Sequence, residues 1–483
     1  KTADPRVGAF VRKLSGTRAS RILVSTRLYP ADLQTVTSEP RPGCYPMFLP
    51  GLADGDALEL WRAVGVSGAR DSLLPLFNRV GNHPLLIQIL ASEVARHRRS
   101  PGDFERWRRD HPAFNPFKLP LVQVKSHVLE FALRGLAPKA RRALHVIAGF
   151  RMPARYDTLA ALLTSQGEAC TDDHELDGVL TELEDRGLVG WERRANRYDL
   201  HPIVRGVVWS GLGDDMQRGV YTSLHAHFEA LPKVVDWRDV NNLEDLTPAI
   251  ELYNTLVGLG RYGDAFVVFR DRLEAATLYR LSASRQRVEL LEMLFPSGLD
   301  QPPPLGSPAH QAYALIGLAL GYQLSGRPGR TIQLYRRANK MYLAMNDTAG
   351  LSVGLCNLSY TLRMSGALCE SEVAARRALS LARTQGNRFN EAAFLQHLGL
   401  TLMARGLADI AETALGRTLR ISVERSNNQL EGTANSFLAW RAIWLGEFDL
   451  ALSFADRAWA LASDMSLEGD FISAARQQGE AVL

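Results

Sequence analysis

The sequence predicts a mainly α-helical chain whose last third is a solenoid of stacked helical hairpins. Three observations carry this. Gly326, Gly366, Gly406 and Gly446 recur every 40 residues. Leu318, Leu358, Leu398 and Leu438 stand eight residues before them, each followed by a small residue: Ala319, Ser359, Gly399 and Ala439. The sequence ahead of this array reads as short amphipathic helices with one two-stranded hairpin among them.

Further columns agree. Thr331, Ser371, Ala411 and Ala451 follow the glycines by five residues, and Ala338, Ala378, Thr418 and Ala458 by twelve. A glycine at the end of a first helix takes the left-handed conformation cheaply. The leucine anchors a core, and the small residues let two helices approach closely. One hairpin cannot bury its apolar face alone, so neighbours stack. Over residues 309–468 this pattern resembles the tetratricopeptide repeat. Its period of 40 against the family's roughly 34 implies longer helices. Leu252, Tyr253, Gly260, Ala265 and Phe269 fit the same columns as an earlier, degenerate unit, and Pro302-Pro303-Pro304 interrupts the helical pattern after it.

In such repeats the first helix of each hairpin lines the concave side. The register then nominates Tyr313, Ile316, Gln323, Tyr360, Arg363, Gln396, Met403, Ser436, Trp440 and Ile443 as partner-binding residues. Aromatic residues and arginine are the types enriched at binding hot spots. Tyr313, Tyr360 and Trp440 read equally well as packing between repeats.

The middle of the chain reads as a winged helix. Leu129, Phe131 and Leu133 precede a break at Gly135–Pro138, and Ala143, Leu144, Val146 and Ile147 follow it. Further helices are expected near 155–165 and 173–186, the last stopped by Gly187. Leu188–Arg194 and Arg197–Leu200 then read as two strands around Ala195-Asn196. Arg193, Arg194 and Arg197 decorate this wing. The third helix is acidic, with Asp172, Asp173, Glu175, Asp177, Glu182, Glu184 and Asp185. Phosphates are repelled there, so a solvated surface is favoured over a DNA contact. The basic run Arg96-His97-Arg98-Arg99 with Arg106-Trp107-Arg108-Arg109 likewise reads as a solvated face or oligomer contact rather than a nucleic-acid site.

Four landmarks, taken in order, point to a family. Ser20–Arg27 is a short apolar stretch ending in Ser-Thr-Arg, read as a strand. Leu49-Pro50-Gly51-Leu52 leads into a helix carrying Asp54, Asp56, Leu60 and Trp61. Gly81-Asn82-His83-Pro84 opens another helix, and Leu200-His201-Pro202 follows the winged helix. This order resembles the back half of the STAND class of signalling NTPases, the AAA-related group that includes NB-ARC and NACHT ATPases, over residues 1–212. The resemblance implies a remnant of an α/β NTPase domain at 1–48, a helical lid at 49–125, a winged-helix domain at 126–212, a helical linker at 213–308 and a repeat array at 309–483. It implies that Arg27 approaches a γ-phosphate, that Pro84 packs near adenine, and that His201 holds the β-phosphate of ADP and latches the resting state. A guanidinium fork suits phosphate oxygens and an imidazole can donate to one.

One departure matters. The sequence holds no Gly-x-x-x-x-Gly-Lys-Ser/Thr loop and no Gly-Lys pair. That loop cradles phosphates and places magnesium. ADP or ATP with Mg is therefore expected only for a full-length protein that begins before Lys1. This chain alone is not expected to bind nucleotide firmly or to hydrolyse ATP. On this reading a protein ligand in the repeat groove relieves an ADP-locked state, and self-association and effector activation follow, as in bacterial antiphage defence. The alternatives are a transcriptional regulator of the same architecture and a plain repeat scaffold.

Bulk properties fit. The chain has 483 residues, 46% hydrophobic and 22% charged, with a net charge of +4, so no general polyanion-binding field is implied. Arginine outnumbers lysine 49 to 7, which reads as GC-rich codon bias. Cys44, Cys170, Cys356 and Cys369 show no metal-ligand or redox spacing. There is no His-Glu-x-x-His motif, no Gly-x-Ser-x-Gly elbow and no apolar run long enough for a membrane span. A cytoplasmic protein is expected, with no membrane partner and nucleic acid the lesser candidate partner.

Overall fold

The computed structural model describes residues 5–17, 21–24, 29–35, 39–48, 51–164, 169–462 and 468–482. They divide into two compact units. One comprises residues 46–232 and 250–260; the other comprises 1–45, 233–249 and 261–483. The fold is mainly α-helical, with one small three-stranded sheet among the described residues.

At the N-terminus, α1 (Pro5–Leu14) is followed by a single 3-10 turn at Ala31–Leu33 and an isolated bridge between Gln34 and Pro40. The strand expected over Ser20–Arg27 is not formed by its described part. Arg21–Val24 pair with no strand and stand exposed, Leu23 almost fully. A strand leaves its backbone groups unmet unless a neighbour pairs with it, and no described residue supplies that neighbour.

The first unit opens with a helical group: α2 (Asp54–Ala63), α3 (Arg70–Arg79), α4 (Pro84–Ala95), α5 (Phe104–Asp110) and α6 (Leu121–Arg134). Its core is aromatic. Trp61 packs tilted on Phe77 and edge-on to Phe104, and Trp107 meets Phe114 edge-on. Trp107 is buried, so it offers no ring to a nucleic-acid base. Its arginine neighbours Arg106, Arg108 and Arg109 are exposed. The expected lid boundary at residue 125 falls inside α6. That helix packs on both α4 and the later winged-helix elements, so lid and winged helix share one core.

The winged helix follows as α7 (Pro138–Gly149), β1 (Ala154–Arg155), α8 (Tyr156–Leu163), α9 (Asp173–Asp185), β2 (Gly190–Glu192), β3 (Arg197–Asp199) and α10 (Pro202–Ser210). The sheet is antiparallel in the order β1-β3-β2, with Ala154 opposite Tyr198 and Trp191 opposite Tyr198. The two expected strands are present, and β1 joins them. Asp172 caps α9 by accepting from the Glu175 amide at 2.8 Å. Arg186 ties α9 to the helical group through Glu93 of α4, and Glu182 of α9 itself holds the same guanidinium. α11 (Asp214–Ala230) packs on α7 and α8, so the expected linker at 213–308 is not one element. In α12 (Thr247–Gly258), buried Glu251 accepts from the Arg151 and Met152 amides at 3.0 and 2.5 Å.

In the other unit, α13 (Tyr262–Val268) runs into two π-helical stretches, Phe269–Leu273 and Ala276–Arg280. α14 (Ser284–Glu292) then packs on α15. The array is α15 (Pro308–Leu324), α16 (Pro328–Ala344), α17 (Thr348–Met364), α18 (Leu368–Thr384), α19 (Arg388–Ala404), α20 (Ala408–Glu424), α21 (Asn428–Leu445) and α22 (Phe448–Leu461), closed by α23 (Glu468–Val482). They form antiparallel pairs, and each pair packs on the next. Gly326, Gly366, Gly406 and Gly446 have φ between 76° and 80° at the turn inside each hairpin. Thr331, Ser371, Ala411 and Ala451 are fully buried where the two helices touch. The turns between hairpins use the same device with different residues. Asn346, Gly386 and Ser426 are left-handed, and Asp347, Asn387 and Asn427 then cap α17, α19 and α21.

Candidate functional site

Two helices in the first unit begin with the same dipeptide. His83 is the N-cap of α4 with Pro84 at its first turn, and His201 is the N-cap of α10 with Pro202 in the same place. Proline fits there because its missing N–H has no intrahelical partner to lose. The fold brings the two starts together: the imidazoles lie edge to face with centroids 5.8 Å apart.

Each start is held in place. Asn82, in the left-handed region, donates its side-chain amide to the Leu52 carbonyl at 2.9 Å and to Asp54 at 3.0 Å. Its own carbonyl accepts from the Leu52 amide at 2.9 Å. The Gly51-Leu52 segment is thereby fastened to the entry of α4. At the other start, Arg205 donates to the carbonyls of Ile147, Ala148 and Phe150 at the end of α7, and to Asp199. His201 Nδ1 accepts from the Ile203 amide at 3.3 Å. That acceptance assigns the proton of the neutral ring to Nε2, leaving it a donor.

The electrostatics favour an anion. Helix N-termini carry partial positive charge and unmet N–H groups, and here two converge. Burial pushes the His83 imidazole below its usual range, with Lys125 and then His201 adding to the effect. His83 Nδ1 is enclosed and has no hydrogen-bond partner. Among the described residues no His, Cys, Asp and Glu cluster suits a metal ion.

Of the nucleotide residues expected from sequence, His201 lies against His83, the residue before Pro84. Arg27 lies outside the described residues, as do Leu49 and Pro50. His83 and Lys125 were not singled out as contributors. The repeated His-Pro helix start was the available signal for His83, and nothing local marked Lys125.

The ten partner residues divide by burial. Gln396, Met403 and Ser436 are interior. Gln396 accepts from Thr433 at 3.1 Å and Ser436 donates to Gln477 at 2.6 Å, so both are spent on stacking one hairpin against the next. These three are corrected from partner-facing to structural positions. Gln323 is half-buried and accepts from Thr361 and Tyr335. Tyr313 is 39% exposed and donates to Glu274 at 2.6 Å. Ile316, Tyr360, Arg363, Trp440 and Ile443 keep part of their surface accessible. Trp440 meets the exposed Trp444 edge-on at 5.0 Å. Arg363 lies over the Tyr360 ring at 5.1 Å, and Tyr360 meets His397 edge-on at 5.7 Å.

In α9 the acidic face is as expected. Tyr156 donates to Asp177 at 2.7 Å, and Lys139 pairs with Glu175. Arg193 lies over the Trp191 ring at 5.1 Å, and that ring stacks on Tyr198. No described helix is long and apolar enough to cross a membrane.

Together these features define a helical-repeat protein carrying a winged helix in which two histidine-capped helix starts lie side by side. No protein-family model matches the chain, and no curated protein matches it. Among solved structures, it is similar to a signal transduction ATPase with numerous domains (STAND) protein with a tetratricopeptide repeat sensor from Pyrococcus horikoshii. Identity is 16% and the TM-score 0.34, over 91% of this chain and 63% of that one. The chain thus spans less than two thirds of that protein's length. It is also similar to BtubC from P. vanneervenii, at 16% identity and TM-score 0.31, over 43% of this chain and 87% of that one. Another is the APC/C hetero-tetramer Cut9–Hcn1, at 13% identity and TM-score 0.24, over 89% and 95%.

Proposed function

We propose that this chain is the sensing and regulatory part of a STAND-type signalling ATPase switch of the bacterial cytoplasm. The repeat array takes a protein trigger. Trigger binding releases the winged helix from an ADP-locked resting state, and self-association and effector activation follow. Antiphage defence is the setting this reading favours. The trigger shifts the resting–active equilibrium only through its differential affinity for the two states.

One observation carries the reading: the pairing of His83 with His201 at two converging helix starts. These residues fit the phosphate end of a nucleotide. The enclosed, unpartnered His83 Nδ1 and the donor at His201 Nε2 supply polar groups, and Lys125 supplies charge. Pro84 stands at the start of α4 for the base, and Arg27 is assigned the γ-phosphate of ATP, with Mg. Bound ADP supplies the free energy that favours the resting state. The residues do the rest: Arg205 holds the start of α10 against α7, and Asn82 holds the start of α4 against Leu52. The rival reading, a DNA-reading wing, has Arg193 and Arg194 exposed but sets α9, with six acidic side chains and no Lys or Arg, beside them.

The test is thermal unfolding of the full-length protein with and without ADP. ADP raises the midpoint of the wild type by mass action, and His201→Ala and His83→Ala lose most of that gain. An equal ADP shift in wild type and His201→Ala, or none in the wild type, would overturn the reading.

A further inference from the structure

Within the array, buried and half-buried charges are generally matched. Glu391 receives Arg383, Arg388 and Arg417 at 3.0, 2.8 and 2.7 Å. Glu431 receives Arg457 at 2.6 Å, and Arg441 pairs with Glu412 at 2.6 Å. Just ahead of the array, Arg287, fully buried, pairs with Glu274 at 3.1 Å. Arg363 departs from this rule. It is half-buried near the C-terminus of α17, and burial depresses its pKa. Among the described residues it has no carboxylate partner, and its Nε is enclosed without a hydrogen bond.

Its surroundings come from two first helices of adjacent hairpins. Tyr360, on α17, lies beneath the guanidinium. His397, on α19, presents its ring edge-on to Tyr360, with Nδ1 enclosed and unpartnered. An unpaired charge or donor held out of water is unfavourable unless something meets it. Two such groups beside one aromatic shelf amount to a binding site.

We propose that Arg363 and His397 form a receptor for a carboxylate from an acidic segment of the protein trigger. The planar fork of an arginine matches a carboxylate in two parallel hydrogen bonds, and Tyr360 holds that plane. A monoanion fits better than a phosphate. The His397 imidazole is pushed down to about 4 by burial first and Arg363 second, so it is neutral at pH 7. No charged group other than Arg363 acts on it. The site therefore offers one positive charge beside a neutral ring. Trp440 and Trp444, further along the first-helix face on α21, offer an apolar surface to the flanking residues of the segment. This assignment rests on the array being the trigger-binding part. It does not depend on the nucleotide pocket.

The test uses the full chain and a fluorescein-labelled, end-blocked hexaglutamate peptide, read by anisotropy at low and physiological salt. The wild type binds it. Arg363→Gln weakens binding about tenfold or more with little change in the unfolding midpoint, because the lost cation had no carboxylate partner and only the Tyr360 ring beneath it. Arg363→Lys recovers only part, since it restores charge without the fork. Arg377→Gln, at an exposed position on α18, leaves binding unchanged. The His397 ring titrates at higher pH in the complex, as seen by NMR. Equal affinity in wild type and Arg363→Gln, or no binding by the wild type, overturns the proposal. So does Arg363-dependent binding that is tighter for a hexaphosphoserine peptide. ADP stabilisation is scored on the same samples, so failure of the switch reading is visible separately.

Discussion

His83 and His201 meet ring edge to ring face at 5.8 Å, each the last residue before a proline-initiated helix. Burial, then Lys125, then His201 keep the His83 imidazole below its ordinary value of 6.5. The unfolded chain therefore binds the proton more readily than the folded one. Stability from this residue is fully present above 6.5 and falls as the pH drops below it. Urea midpoints at pH 7.5 and 5.5 check this. His83→Gln should reduce the difference between them.

Glu251 behaves in the opposite sense. Burial pushes its carboxyl up to about 7, although the Arg151 and Met152 amides pull the other way. With the folded value raised above 4.5, its contribution is complete below 4.5 and is lost as the pH rises through about 7. Glu251→Gln flattens that part of the stability profile. Glu251→Ala takes the acceptor from the Arg151 and Met152 N–H groups and costs about 1–2 kcal/mol by urea unfolding.

Glu391 is the third ionisable anchor. Burial raises its pKa, but hydrogen bonds from Arg383 and Arg388 and the charge of Arg417 outweigh this and bring it below the usual value. Its contribution is present above pH 4.5 and is lost as the solution is acidified past the folded value. Removing it takes the carboxylate from Arg383 and Arg417, while Arg388 keeps Glu424 at 3.6 Å. The arginines are almost half exposed, so the cost of Glu391→Ala is about 2–3 kcal/mol rather than the full penalty of a dry pair. The measurement is the urea midpoint at pH 7.

The two kinds of turn respond differently to substitution. Gly366 has φ of 80° at a turn filled by glycine in all four hairpins. Gly366→Ala costs about 1 kcal/mol, although open space surrounds the position. Gly386 has φ of 65°, and Asn346 occupies the matching position at 54°. Gly386→Asn should cost about half a kcal/mol or less. Equal losses in the two variants would contradict this.

These turns also show what could be read in advance. The in-hairpin glycines were legible because one residue type recurs. The between-hairpin turns were not, because Asn346, Gly386 and Ser426 share a conformation but not an identity. The Asp347, Asn387 and Asn427 caps were readable as a column and were passed over. β1, two residues long, carries too little pattern to announce a strand. Gln396, Met403 and Ser436 were assigned to the open face because sequence register cannot tell it from the adjacent seam between hairpins. Gln396 and Ser436 bond across that seam, and Met403 is buried. The pairing of His83 with His201 depends on tertiary packing, which no local pattern reports.

From α15 to α21 the array consists of near-identical lengths of helix, each followed by a left-handed residue. A 40-residue segment cut at equivalent turns and copied in frame would present its neighbours with surfaces they already accommodate. Slippage during replication can thus lengthen or shorten the recognition surface by whole hairpins. A lineage pressed by changing partners can add new reading positions while leaving the paired histidines of the other unit unchanged.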